Sequence, residues 1–279
     1  MPRVILSRRS LEADGSIVRD EPGGSHLLAI TLDATDATLE GQIDGRGWRS
    51  DEGTDRVTFT PAGVVRTITM ASGRYDSLLV ELPAALVQRV CRTNRRTAWR
   101  SASSEHNAKL ALAARWYAEQ ACEDAEEDAL LVRLLARTVA RNFSTIRFRA
   151  DDAWLAPSTL SRIARLATAN HRACLPALAQ EAGLSVSAFS RAFRGAIGLT
   201  AGDWLIERRI TAAERMLIET DLPLTEVARS VGIRAASHFS QTFLARRGMP
   251  PSEFRRRARG QTVRVSGSST PGEYRRLGR

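Results

Sequence analysis

Residues 181–193 read EAGLSVSAFSRAF, and residues 230–243 of the same chain read SVGIRAASHFSQTF. In both stretches a glycine is followed by an aliphatic residue and then by a helix-like run with two phenylalanines four positions apart. The glycines align at an offset of 49 and the phenylalanine pairs at an offset of 50, so the second copy has one extra residue after its glycine. The repeat predicts one supersecondary unit used twice.

Each copy has the pattern of a helix, a sharp turn at glycine and a second helix. Glycine suits a helix end that must adopt positive φ, and Ser185 is predicted to cap the helix that follows the first turn. This pattern is typical of a helix-turn-helix motif. Residues 200–220 between the copies predict one long helix. A rod of about twenty residues spans about 30 Å, close to the ~34 Å between major-groove faces one turn apart.

The second helix of each copy is predicted to turn its phenylalanines inward and a polar face outward. Small side chains on that face let a helix approach base edges, arginine can form two hydrogen bonds with guanine, and glutamine suits adenine. Arg191 is predicted to contact a base and Arg194 a phosphate, whereas His238 either contacts a base or packs. The predicted DNA-binding residues are Ser187, Ser190, Arg191, Arg194, Ala236, Ser237, His238, Ser240 and Gln241.

The net charge of +10 is unevenly distributed along the chain. Residues 1–155 contain 21 Lys and Arg against 22 Asp and Glu, a net of −1, and residues 156–279 contain 20 against 9, a net of +11. This asymmetry is expected when one domain meets a polyanion and the other does not. A solvated arginine-rich surface would give the same count, so the charge supports the motif without deciding the function.

The first hundred residues have the pattern of short strands, which favours an antiparallel barrel or sandwich. Alternation is visible in residues 26–43, and further strands are predicted at 56–60, 64–70 and 77–83. A short helix is expected after Pro83, and a polar, arginine-rich gap over 92–104.

Two helices are predicted next, at about 105–122 and 126–142. The second carries a wide apolar stripe, which packs either against its own barrel or against a second copy of the chain. Its members are Leu130, Leu131, Leu134, Leu135, Thr138 and Val139.

Residues 157–257 resemble the DNA-binding domain of the AraC/XylS family of bacterial transcription regulators. The resemblance is carried by LAQEAGLSVSAFSRAFRGAIGLTAGDWLIERRITAAERML (178–217) and LPLTEVARSVGIRAASHFSQTFLARRGMPPSEFRR (222–256). It implies a seven-helix, double helix-turn-helix fold with base contacts from both recognition helices. Two departures concern the second motif. Residues 234–237 read RAAS where the family often has Ser-Asp-Gln-Ser, so the side-chain cap is absent. Gln241 stands where the family usually has arginine.

The N-terminal half resembles, more loosely, the cupin-like sensor domains of such regulators, through its strand pattern, FTPAG at 59–63 and the helix pair. The expected fold is therefore α+β with two domains: an N-terminal antiparallel β-barrel (cupin or jelly-roll-like) with a helix pair, and an all-α double helix-turn-helix. The expected segments are a sensor barrel (1–103), a helical dimerisation and coupling pair (104–142), a linker (143–156), the DNA-binding domain (157–257) and a basic disordered tail (258–279).

The leading hypothesis is an effector-responsive DNA-binding regulator, with an activator role among its expected features. The expected partners are double-stranded DNA, RNA polymerase, a small-molecule effector and a second copy of the chain. The alternatives are a cupin-type enzyme with a helical appendage and a constitutive DNA-binding protein whose first domain only dimerises. Enzyme motifs are missing, and His26 is the only histidine in the first hundred residues, so no catalytic residue, cofactor or metal is expected. No signal peptide or apolar span is recognised, so a cytoplasmic protein without membrane contact is expected.

Overall fold

A computed structural model of the chain describes residues 4–14, 16–21, 23–92, 97–119, 125–148 and 154–265. It divides into two compact units that interleave along the chain. One consists of Met1–Leu166 with Pro176–Ala201, and the other of Ala167–Leu175 with Gly202–Arg279. The first helix-turn-helix copy therefore belongs to the unit that contains the N-terminal sheet. The domain limits given above stay predictions.

The N-terminal strands are β1 (Ile5–Glu12), β2 (Ile17–Asp20), β3 (Ser25–Ile43), β4 (Arg46–Asp51), β5 (Arg56–Thr60), β6 (Arg66–Pro83) and β7 (Ala102–His106). They form one antiparallel sheet in the order β1-β6-β3-β5-β7, with β2 paired to β6 and β4 to β3. Over the described residues the end strands β1 and β7 do not pair with each other, so the sheet is open there. The predicted antiparallel sheet is confirmed, and its closure into a barrel stays a prediction.

The sheet is organised around β3 and β6, which pair along nearly their whole length, from Ser25 opposite Pro83 to Ile43 opposite Arg66. The prediction of two separate strands at 64–70 and 77–83 is therefore wrong, because β6 runs through both. The glycine-containing segment between the two predicted strands is a bend within β6. Gly73 has φ +78° there, and a Cβ at this position would lie 2.3 Å from the carbonyl oxygen of Thr35. Register shifts in β3 beside this point absorb the bend.

Part of the predicted gap at 92–104 belongs to β7, which pairs with β5 and places Ala102 opposite Phe59. The segment ASSEH has no apolar alternation, so only this long-range pairing defines it as a strand. The helix predicted from about 105 begins instead at Ala108. The Asn107 side chain accepts a hydrogen bond from the Leu110 amide at 3.1 Å and thereby caps the helix.

The described residues also form helices whose order follows the predicted double motif. The apolar positions of the long connecting helix, Trp204, Leu205, Ile210 and Leu217, are buried as expected. The helices are α1 (Ala84–Cys91), α2 (Ala108–Glu119), α3 (Ala125–Phe143), α4 (Pro157–Ala169), α5 (Leu175–Glu181), α6 (Val186–Ile197), α7 (Ala201–Glu219), α8 (Leu224–Ser230), α9 (Ala236–Arg247) and α10 (Pro251–Val265).

The apolar stripe of α3 is buried within a single chain. Leu131 and Leu135 are 1% and 0% exposed, and α3 packs against α1, α2 and α6. At its end Phe143 stacks on Phe59 of the sheet with 4.5 Å between ring centroids. The stripe is therefore covered within one chain, as one of the two interpretations expected, but by helices α1, α2 and α6 rather than by the barrel. A charged residue at Leu131 or Leu135 is expected to disturb the fold rather than to separate two copies.

His26 lies in β3 and is a core residue. It is 2% exposed, its ring centroid lies 4.2 Å from that of Trp99, and its Nδ1 accepts a hydrogen bond from the Ala62 amide at 3.1 Å. Nε2 has no hydrogen-bond partner among the described residues. Burial lowers the pKa of His26 to about 4, so the imidazole is neutral at physiological pH.

A second buried polar group joins three strands of the same sheet. Arg66, which is 0% exposed, donates from Nη2 to Asp20 at 2.6 Å, and Arg9 donates to the same carboxylate from two nitrogens. Burial acts to raise the pKa of Asp20, but the hydrogen bond from Arg9 and the charge of Arg66 outweigh it and hold the pKa below its usual value. Arg9, Asp20 and Arg66 therefore form a charged cluster that links β1, β2 and β6, in which Nη1 of Arg66 has no hydrogen-bond partner among the described residues.

The C-terminal end of the chain is helical for longer than expected. α10 continues to Val265, so helix covers the first part of the segment predicted as a disordered tail. The rest of that prediction, residues 266–279, falls outside the described residues, as do residues 149–153 of the predicted linker.

Candidate nucleic-acid interface

The two helix-turn-helix turns are closed by the same backbone hydrogen bonds. Gly183 has φ +66° and Gly232 has φ +78°, the left-handed conformation that a helix needs to end in a Schellman turn. In each copy the residue after glycine donates to a carbonyl five residues back: Leu184 to Ala179 at 2.9 Å, and Ile233 to Ala228 at 2.8 Å. The repeat seen in the sequence is therefore a repeat of local backbone geometry.

The caps of the two recognition helices differ, as the sequence predicted. The Ser185 hydroxyl accepts a hydrogen bond from the Ala188 amide at 3.2 Å and caps α6. At the matching position Ala235 has extended backbone, φ −99° and ψ 124°, and makes no side-chain cap for α9. One recognition helix thus starts with a satisfied amide and the other without this partner.

The paired phenylalanines of both copies are core residues, as predicted. Phe189 and Phe193 are 0% exposed with ring centroids 5.5 Å apart, and Phe239 and Phe243 are also 0% exposed, at 5.8 Å. Phe254 of α10 packs edge-on against Phe243 at 5.4 Å. With one face of each helix buried, the polar side chains are left on the other.

The predicted face of α6 is open to solvent. Ser187, Arg191 and Arg194 are exposed, and Ser190 is half-buried. Nη1 of Arg191 donates to the Ser187 hydroxyl at 2.7 Å, so these two side chains lie together on one surface. The Ser190 hydroxyl donates to the carbonyl of Val186 at 2.7 Å. The face presents two guanidinium groups beside small hydroxyls, the chemistry that suits base edges and phosphates.

The predicted face of α9 is also accessible but has no arginine among the predicted residues. Ser237, His238 and Gln241 are exposed, whereas Ala236 and Ser240 are half-buried. These side chains offer hydroxyl, imidazole and amide groups without a fixed positive charge. The two faces therefore differ in charge although their helices repeat the same pattern.

α6 is anchored by a hydrogen bond from α3, a helix of the N-terminal part of the chain. Nε of Arg137 donates to the carbonyl oxygen of Gly195 at 2.8 Å. Gly198 ends α6 with φ +79°, and a Cβ there would lie 2.9 Å from a guanidinium nitrogen of Arg137. α3 therefore contacts the backbone of a recognition helix near its C-terminal end.

α9 is held in a different way, by arginines at its own C-terminal end. Arg247 donates from Nε and Nη2 to the two carboxylate oxygens of Glu214, and from Nη1 to Glu207 at 2.6 Å. The hydrogen bonds of Glu214, only partly offset by burial, raise the pKa of Arg247. Arg246 pairs with Asp203 at 2.9 Å. α9 is thereby clamped onto α7.

Several of these anchoring residues were not singled out by the sequence analysis. A basic pair at a helix C-terminus, such as Arg246 and Arg247, is a recognisable helix-end signal. Arg137 gave no such signal, because its partner Gly195 is a backbone carbonyl far along the chain. Arg209 of α7 likewise gave no signal; it donates to the carbonyls of His171 and Ala173, at 3.3 and 3.0 Å.

Two cavities flank Arg137 in the sheet-containing unit. One, of about 180 Å³, is lined by Asn107, Lys109 and Trp154 among others. The other, of about 230 Å³, lies between the end of α1 and the end of α6. Within the described ranges no group of three or more His, Cys, Asp or Glu could hold a metal ion. None of the helices described is long and apolar enough to span a bilayer.

Comparison with known proteins agrees with this geometry over the C-terminal helices. A family model described as a helix-turn-helix domain matches residues 178–257. Residues 178–257 form an AraC-type helix-turn-helix domain. The match includes both turns and both recognition helices of the repeat, and begins at the helix that precedes the first turn.

Curated relatives are similar to this chain over the AraC-type domain. The transcriptional activator NphR of Rhodococcus sp is 36% identical over 100 residues, which cover 35% of this chain and 30% of the relative. The arabinose operon regulatory protein of Escherichia coli (strain K12) is 36% identical over 81 residues, which cover 29% and 28%. These matches span less than a third of each relative. Among solved structures, the DNA-binding domain of AdpA in complex with a target DNA is 28% identical, covering 36% of this chain and 93% of that chain, with a TM-score of 0.34.

Proposed function

We propose that this chain is a transcription regulator that binds double-stranded DNA sequence-specifically through α6 and α9. The observation that carries the proposal is the repeat itself. Two helix-turn-helix turns with the same backbone bonds each present a recognition helix whose inner face is buried and whose polar face is accessible. The relatives that match this domain are regulators of transcription by name. The net charge of +11 over residues 156–279 adds the attraction to a polyanion.

In this proposal each recognition helix enters a major groove. α7, with 19 residues, has a length of about 28 Å, which suits two successive grooves on one side of a duplex. On α6, Arg191 reads a base with Ser187 beside it, Ser190 approaches a base edge, and Arg194 binds a phosphate. On α9 the contacts come from Ala236, Ser237, His238, Ser240 and Gln241.

The N-terminal sheet is proposed as a cupin-like sensor that receives a small-molecule effector. The contact between α3 and the backbone of α6 supports this role, because a change in the sheet-containing unit can reach a recognition helix through Arg137 and Gly195. An effector must bind one arrangement better than the other to act in this way. Activation, contact with RNA polymerase and a homodimer belong to the same proposal, the first by analogy with the named activator NphR.

The proposal is tested by selecting DNA fragments from a random pool with the full chain and sequencing those retained. A common motif with two half-sites about one helical turn apart is expected. An unenriched pool would leave only non-specific binding and would refute sequence-specific recognition.

Arg191→Ala is then expected to cost about 1–3 kcal/mol of binding free energy on the selected site and to relax base preference at one position. Arg46→Ala, which removes an exposed arginine of β4, is the matched control and should bind as the unmodified chain does. An equal loss by Arg191→Ala on selected and random DNA would assign Arg191 to a phosphate instead.

A further inference from the structure

The cavity of about 230 Å³ joins three separate parts of the sheet-containing unit. Arg92 follows the last residue of α1, Arg147 lies in the segment after α3, and Arg194 belongs to α6. Apolar side chains, among them Val90 and Phe148, also line the cavity. Arginines distant in sequence thus converge around one concave space with a partly apolar wall.

The three arginines have no acidic counterpart in the part of the chain that the structure describes. Arg92, Arg147 and Arg194 are exposed, and none of them pairs there with a carboxylate. This contrasts with Arg247, which meets two carboxylates on α7. Exposed guanidinium groups without a carboxylate partner have donors available for a bound anion.

The surroundings of the cavity are cationic as well. Burial, followed by the charges of Arg89 and Arg137, lowers the pKa of Arg133 in the adjoining part of α3. Arg137 reaches the cavity from the same helix while its Nε remains bonded to the Gly195 carbonyl. The positive potential is therefore a property of the region rather than of a single side chain.

We propose that this cavity binds a small polyanion, a molecule with phosphate or several carboxylate groups, through Arg92, Arg147 and Arg194. Guanidinium groups form paired, charge-assisted hydrogen bonds with these groups, and the apolar wall accommodates a short hydrocarbon part. A double helix is too wide to enter a space of about 230 Å³, which favours a small ligand over DNA.

The ligand is coupled to DNA binding through Arg194, and this half of the inference rests on the proposed function. Arg194 lines the cavity and also lies on the predicted DNA-facing surface of α6. A bound anion engages this guanidinium and withdraws it from the DNA backbone. By thermodynamic linkage, DNA and the anion then weaken each other's binding by the same factor.

Binding is measured first without DNA, by calorimetric titration of the full chain with pyrophosphate and with citrate, with ionic strength kept constant by sodium chloride. At least one probe is expected to bind saturably at one site per chain. Arg92→Gln and Arg147→Gln should each weaken that binding about tenfold, since each removes a charge-assisted hydrogen-bond donor. Arg46→Gln makes the same change of charge on β4 and should bind as the unmodified chain does. Equal weakening in all three variants, or no saturable binding of either probe, would overturn the site.

DNA binding is measured next, with and without the bound probe. The anion, added near its Kd for the unmodified chain, is expected to lower the DNA affinity of that chain. Arg147→Gln should largely remove this effect at the same anion concentration, while it binds DNA normally without the anion. If Arg92→Gln and Arg147→Gln instead weaken DNA binding in the absence of the anion, the arginines belong to a DNA-backbone contact and the ligand site is wrong. If neither the unmodified chain nor any variant binds DNA, the proposed function is wrong, whereas the calorimetric test of the anion site is unaffected.

Discussion

The two helix-turn-helix copies repeat the same turn but are anchored by different parts of the molecule. α6 shares a compact unit with the sheet and receives a hydrogen bond from Arg137 of α3 onto its Gly195 carbonyl. α9 belongs to the other unit and is clamped by Arg247 to two glutamates of α7. The exposed arginines Arg191 and Arg194 of α6 correspond to Gln241 and Leu244 of α9.

This difference shows that the local geometry of the motif and its tertiary contacts are determined by different residues. The glycine, the phenylalanine pair and the turn hydrogen bonds define the helix-turn-helix motif. Residues outside the motif determine which part of the molecule anchors each recognition helix. The copy whose predicted DNA-binding face carries arginines, Arg191 and Arg194, is the one in contact with the N-terminal part. A signal received in the sheet is therefore expected to act on the first motif before the second.

The largest expected effect is a loss of stability at low pH that is greater around the first copy than around the second. The unfolded chain protonates His26 near pH 6.5, and the folded chain only near pH 4. As pH falls from 6.5 to about 4 the unfolded state binds more protons, so stability is lost across that window, by about 3 kcal/mol. Hydrogen exchange at pH 7 and pH 4.5, corrected for intrinsic rates, should show protection falling in α3 and α6 more than in α9.

His26→Gln is the control for this experiment, because it keeps a polar group near the Ala62 amide and removes the titration. Its loss of protection in α6 between the two pH values should be smaller than that of the unmodified chain. Equal losses in α6 and α9 would contradict a separate response of the two copies.

The next effect compares the turn glycines. Gly183→Ala meets open space and is strained only by its φ of +66°, which predicts a cost of about 1 kcal/mol. Gly232→Ala has the same strain and also places Cβ 3.1 Å from the Cα of Arg172, so about 2 kcal/mol is expected. Exchange protection of the helices around each turn measures both costs, and an equal loss would show that the surroundings of Gly232 give way.

The smallest expected effect on stability comes from exchanging the N-cap residues of the two recognition helices. Ser185→Ala should destabilise α6 by about 1 kcal/mol, and Ala235→Ser should stabilise α9 by a similar amount, because the backbone at 235 is already extended. Amide exchange at the first turn of each helix reports the change. A gain at α9 accompanied by weaker DNA binding would show that the bare helix start serves recognition.

The features predicted correctly from the sequence are those with a local cause. The turn at Gly183, the cap at Ser185 and the burial of the phenylalanine pairs follow from neighbouring residues and helical spacing. The exposure of the α6 face followed from the same spacing. Its role in binding DNA stays a prediction.

The features that were missed depend on contacts between distant segments. β7 exists because Ala102 meets Phe59, and β6 is continuous because β3 pairs with both of its halves. The stripe on α3 was visible, but its partners α1, α2 and α6 were not. The arginine cavity was beyond prediction for the same reason, since Arg92, Arg147 and Arg194 are adjacent only in the folded chain.

The interleaving of the two compact units has a consequence for protein synthesis. The sheet-containing unit includes residues up to Ala201, and its last segment packs on a helix that ends at Phe143. The ribosome must therefore deliver about seventy percent of the chain before this unit can close. Until α6 has been synthesised, the face of α3 that packs against it stays exposed. The first recognition helix is therefore needed to complete the fold of the unit that is proposed to regulate it.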